Sequence, residues 1–169
     1  FKGIYFADVN GDSRADLCYE YTDVNGGPSQ FRCMVANDTG FDPVTLAWTR
    51  NNFDPGDSHW THSFQDANAD GFADYCRILS GGVLRCTLGG PNGFTGEISS
   101  TPHPMPHPEA AAWVDINGDG NIDFCRILGD WGNNTLSCII GNGVGWEAAE
   151  RASPVLNLGD HNVMYWGDV

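Results

Sequence analysis

Short apolar runs alternate along the chain with polar, glycine-rich breaks, and no stretch sustains a 3.6-residue hydrophobic period; the pattern predicts an all-β chain. Three runs share one form: "DLCYEY" from Asp16, "DYCRIL" from Asp74 and "DFCRIL" from Asp123. Each follows a polar loop, and two residues before the loop's first aspartate stands an aromatic, Phe6, Phe64 or Trp113. Each is followed by a turn rich in glycine or asparagine and by a second apolar run with a cysteine near its middle, "FRCMV", "LRCTL" or "LSCII". Three β-hairpins are predicted. A glycine-aromatic step then ends each hairpin region, at Phe41, Phe94 and Trp146.

The loops begin at Asp8, Asp66 and Asp115, so the unit recurs after 58 and then 49 residues, a period in the range of propeller blades. Residues 1–169 are therefore expected to form a single β-propeller segment of three four-stranded blades, at about 1–57, 58–107 and 108–160. A partial fourth blade is expected at about 161–169, because "MYWGDV" aligns with "IYFADV" and puts Asp168 in the place of Asp8. Propellers use about four to eight blades, so more chain or neighbouring subunits must complete a ring.

The loops place oxygen-bearing side chains at alternate positions: Asp8, Asn10, Asp12 and Asp16; Asp66, Asn68, Asp70 and Asp74; Asp115, Asn117, Asp119 and Asp123. A hard cation with six to eight oxygen ligands wants this arrangement, and the seventh positions, Arg14, Phe72 and Asn121, offer backbone carbonyls. Three structural calcium sites are expected. An EF-hand needs a bidentate glutamate at the twelfth position, where this chain has Tyr19, Arg77 or Arg126, so that motif is excluded. The competing reading is a set of Asx-rich turns without metal. Gly71 and Gly120 suit the sharp turn of their loops, whereas the first loop has Ser13 there.

Charge and cysteine content narrow the setting. With 22 acidic and 8 basic residues the formal charge is -14, which disfavours nucleic acid and anionic membrane surfaces as partners and favours cations. No apolar run approaches the roughly 20 residues that span a bilayer. The 6 cysteines suit an oxidising compartment and a secreted or cell-surface protein. They allow 15 pairings in principle, and pairing within repeats is the simplest reading: Cys18 with Cys33, Cys76 with Cys86, Cys125 with Cys138. Sequons at Asn37 and Asn133 are compatible with secretion.

The loop D-x-N-x-D-G-x-x-D after an aromatic-rich strand, with a later glycine-phenylalanine step, resembles the FG-GAP or VCBS repeats of integrin-α-like β-propellers and related propeller lectins. The resemblance covers most of the chain. It implies loops that join a blade's innermost strand to the next, with mainly structural calcium; the paired cysteines are not a general feature of that family.

Other motifs carry less. Gly11-Asp12-Ser13 and Gly56-Asp57-Ser58, the latter beside His59, look like the start of an esterase motif without a triad around it, so no enzyme activity is expected. His59 with His62, and His103 with His107, have metal-compatible spacing but read as solvated loop histidines. Trp48, Trp60 and Trp131 fall outside the repeated positions and are candidates for a platform that stacks on a sugar or a partner, with burial as the alternative. The proline-histidine stretch "STPHPMPHPEAAAW" reads as a stiff connector between blades. The expected function is a calcium-binding, lectin-like recognition module for a glycan or an extracellular protein. The alternatives are an assembly subunit that joins its neighbours through the C-terminal strand, and an accessory domain of a larger secreted enzyme.

Overall fold

The computed structural model describes residues 3–22, 28–56, 62–105, 110–129 and 132–156. The expected all-β class is borne out: three four-stranded antiparallel sheets and one two-stranded ribbon. Sheet 1 comprises β1 (Ile4–Ala7), β2 (Asp16–Tyr21), β3 (Gln30–Met34) and β6 (Thr49–Arg50), with the ribbon of β4 (Ala36–Asn37) and β5 (Gly40–Phe41) between its last two strands. Sheet 2 runs β7 (Ser63–Gln65), β8 (Asp74–Leu79), β9 (Val83–Leu88), β10 (Gly96–Pro102); sheet 3 runs β11 (Ala111–Val114), β12 (Asp123–Leu128), β13 (Thr135–Gly141), β14 (Trp146–Ala152). In each sheet, strands adjacent in space follow chain order. Among the described residues the sheets do not close into a barrel, and no helix is long and apolar enough to cross a membrane.

The period-two rule sorts each strand into two faces. In the central hairpins the cysteines stand directly opposite each other, and Cys18–Cys33, Cys76–Cys86 and Cys125–Cys138 are bonded, as the spacing within repeats led us to expect. The cysteine face of sheet 1, carrying Cys18, Phe31 and Cys33, packs on the opposite face of sheet 2, where Phe64 and Tyr75 project. Tyr75 stacks on Phe31 with ring centroids 4.2 Å apart. The relation then repeats: Cys76, Leu84 and Cys86 of sheet 2 meet Phe124, Ile139 and Trp113 of sheet 3. Sheets 1 and 2 thus each offer the cysteine face to the following sheet, and the two cores lie between the sheets. Full burial of one such aromatic is worth about 2–3 kcal/mol.

Two aromatics depart from the repeat. Phe64 and Trp113 lie against these cores, but Phe6, their counterpart, is 64% exposed because no described sheet covers its face of sheet 1. Phe41 sits in the ribbon, exposed, and does not take the core position of Phe94 and Trp146. Trp48 takes a core position instead. Its carbonyl accepts from the Cys33 amide, its ring meets Phe94 edge-on at 5.4 Å, and it is 8% exposed.

Candidate functional site

The three polar loops join the first two strands of their sheets and share one internal design. The first aspartate collects the loop's own amides: Asp8 Oδ1 accepts from Gly11 at 2.7 Å and Asp12 at 3.1 Å, and its Oδ2 from Ser13 at 2.7 Å. Asp66 does the same for Asp70 and Gly71, and Asp115 for Gly118 and Gly120. Bonds from the Gly120, Gly118 and Asn117 amides hold the Asp115 carboxyl below its ordinary range. The fifth-position aspartate accepts the seventh-position amide, from Arg14, Phe72 or Asn121. The third-position asparagine donates to that same aspartate at 3.3, 2.8 and 2.9 Å.

The ninth-position aspartates, Asp16, Asp74 and Asp123, are fully buried. One oxygen of each accepts from the second loop amide (Val9, Ala67, Ile116), and the other from an amide just past the third strand or at its end (Ala36, Gly89, Gly141). They tie loop to sheet. Burial raises all three above the usual carboxylate range, and Asp74 is pushed up to about 7, with repulsion from Asp70 and Asp66 adding to the desolvation.

Two backbone positions in every loop are left-handed. The fourth is Gly11, Ala69 or Gly118, with φ of 75°, 58° and 74°; the sixth is Ser13, Gly71 or Gly120, with φ of 67°, 87° and 86°. Ser13 and Ala69 are the two of these six positions without glycine. The loops also adjoin. The Asp8 carbonyl accepts from Ala73 at 2.9 Å and the Val9 carbonyl from Gly90 at 3.1 Å, so the first loop docks on the second unit.

Among the described residues, no three His, Cys, Asp or Glu side chains gather into a metal-sized group. In the first and third loops the asparagine Oδ1 accepts from the fifth-position amide, Asp12 at 3.1 Å and Asp119 at 2.9 Å. In the second loop Asn68 Oδ1 is buried without a hydrogen-bond partner. A buried acceptor with no donor suits a cation, and hard oxygen donors of this kind fit calcium.

Polar chemistry that the sequence did not betray lies between the sheets. Arg77, fully buried, donates from Nε to the Asp54 carbonyl at 2.8 Å, and its terminal nitrogens reach Thr87 at 2.9 Å and Glu97 at 3.0 Å. Arg126 repeats the device on the Pro104 carbonyl at 2.7 Å and Glu150 at 2.7 Å, with Ser137 donating to Glu150 in place of Thr87. Each arginine pins the segment that enters its sheet. Burial works to raise Glu150, but bonds from Ser137, Arg126 and His103 prevail and hold it at about 2. The shared "CRIL" of units two and three was the available signal.

His62 and His103 correct the expectation of solvated loop histidines. His103 is buried and meets Glu150 through Nδ1 at 2.8 Å. His62 Nδ1 lies 3.1 Å from Glu20 and within 3.0 Å of the Tyr5 and Tyr75 hydroxyls, between sheets 1 and 2. Burial, reinforced by Glu20, raises the Tyr75 hydroxyl above its ordinary value. Among the other expected site residues, Trp48 is a core side chain and no platform. Asn37 bonds Thr39 and Asp42 within the ribbon turn, and Asn133 is exposed. Ser13 of the first esterase-like motif lies in a loop, while Ser58, His59, Trp60, His107, Trp131 and the segment 161–169 with Asp168 lie outside the described residues.

No protein-family model matches the chain, and no curated protein matches it.

Proposed function

We propose that the chain is a calcium-stabilised, non-catalytic recognition module, secreted or at the cell surface, built from blades of an FG-GAP or VCBS-type β-propeller, and that its ligand is carbohydrate. The observation that carries the reading is the threefold recurrence of one unit: a four-stranded meander, an oxygen-rich loop after its first strand and a cross-strand disulfide. Aspartates and asparagines of each loop, with the seventh-position carbonyls of Arg14, Phe72 and Asn121, would hold one calcium ion. Bound calcium would neutralise the clustered carboxylates and keep the loop closed. The disulfides suit an oxidising compartment.

Carbohydrate is favoured by the polar junction of sheets 1 and 2, a cleft whose edges mix amide, carboxylate and guanidinium groups, as sugar hydroxyls require. A glycan array probed in calcium should give a reproducible hit that is lost on mild unfolding; a blank array with folded protein removes the carbohydrate assignment.

A second reading, assembly, is favoured by the outer face of sheet 1. Ile4 is 60% and Phe6 64% exposed, and Ile4, Leu17 and Met34 line one hollow. The equivalent faces of sheets 2 and 3 each cover a cysteine face, so another sheet of this kind would complement it. Sedimentation should then show self-association that Phe6→Ser reduces; a monomer at all concentrations rejects this reading.

A further inference from the structure

The chain has 8 basic residues against 22 acidic ones, yet three of the eight, Arg50, Arg77 and Arg85, line one cleft of about 330 Å³ between sheets 1 and 2. Their states differ. Arg77 is spent on the Asp54 carbonyl, Thr87 and Glu97. Two carboxylates line the cleft: Glu97 is neutralised by Arg77 at 3.0 Å, with Arg85 at 3.9 Å from its other oxygen, and Asp54, which is exposed, accepts from the Gly56 amide through Oδ1 at 2.9 Å. Arg50 is different: its guanidinium lies over the Phe94 ring at 5.5 Å, makes one long contact with the Gly96 carbonyl at 3.5 Å, and has a buried Nε without a hydrogen-bond partner. It forms no ion pair with any described carboxylate. Arg85 anchors through Nε on Ser99 at 2.9 Å and is partly open to solvent.

A guanidinium held by an aromatic ring, partly desolvated and lacking an anion, is the complement of a planar carboxylate, which it binds through two parallel hydrogen bonds. Its fixed position lowers the ordering cost of binding. The rim adds Asn51 and Asn52, whose amides both donate and accept, as ring hydroxyls need. Phe53 is 6% exposed, so the cleft offers no apolar hollow for a peptide side chain.

We propose that this cleft binds an acidic sugar, a uronate, with its carboxylate on Arg50, supported by Arg85, and its hydroxyls on the asparagine rim. The assignment rests on the carbohydrate reading above and narrows it to one ligand chemistry.

The test titrates the intact chain, with calcium in excess over ligand, with trigalacturonate and with the same trisaccharide after reduction of its carboxyl groups to alcohols. The uronate should bind at least about tenfold more tightly, as expected for hydrogen bonds to a charged group. Arg50→Gln should bring the two ligands to parity. Arg85→Gln, at a more open position, should narrow the gap with an unchanged melting temperature, which keeps the test decisive if the first variant misfolds. Equal binding of both trisaccharides by the native chain overturns this inference and leaves the carbohydrate reading standing. Binding of neither, together with a blank neutral array, overturns both. A uronate preference that survives both substitutions overturns the placement, and equally tight binding of an oligoglutamate overturns the choice of sugar.

Discussion

At the scale of single residues, the loops show how much a ligand-like spacing conceals. The alternation of Asp and Asn was legible at Asp8, Asp66 and Asp115, but the ninth-position residues Asp16, Asp74 and Asp123 turn inward and fasten loop to sheet, a role revealed by the amides of Ala36, Gly89 and Gly141 at or just past the third strand. The left-handed fourth position was equally hidden, because alanine at 69 carries no turn signal, although its backbone takes the conformation that Gly11 and Gly118 adopt. A side chain in that region is strained by about 1 kcal/mol, offset in part by glycine's greater freedom when unfolded. Ala69→Gly should therefore stabilise the chain by up to about 1 kcal/mol, read as a rise in the urea midpoint with unchanged slope. An unchanged or lower midpoint would show that the loop relaxes the strain by other means.

At the scale of elements, the strands and their bridges were largely readable. "DLCYEY", "DYCRIL" and "DFCRIL" coincide with β2, β8 and β12, since alternation and the cysteine register both report a single strand. The fourth strand of sheet 1 was not, because the ribbon at Ala36–Phe41 took the glycine-aromatic signal and left Trp48 to be read as a stray aromatic. The buried arginine networks were also missed, as their partners are distant in sequence. One of them has a clear pH signature. Glu150 sits at about 2 in the folded chain against an ordinary value of 4.5, so its stabilisation is present above pH 4.5 and is lost as pH falls toward 2. Glu150→Gln should lower the melting temperature at pH 7 and flatten its decline between pH 4.5 and 2; a parallel decline in both proteins would assign acid lability to other carboxylates.

At the scale of the whole molecule, three like sheets stand in a row, the first two giving their cysteine faces to the sheet that follows, with the acidic loops adjoining where the first two units meet. The recurrence was visible in the sequence because one period carries the loop, the strands and the cysteines together. The junctions were not, because the side chains that meet there, such as Phe31 and Tyr75, come from different units and no single repeat displays them together. With a formal charge of -14, three bound calcium ions would bring the count to -8, and the ions would bind the folded loops far better than the unfolded chain. The most direct measurement is thermal unfolding of the native chain in calcium and after chelation with EGTA. A fall in melting temperature on chelation, restored by calcium and not by magnesium, is the predicted result. Superimposable melting curves in calcium, in EGTA and in magnesium would contradict the account and leave the loops as metal-free Asx turns.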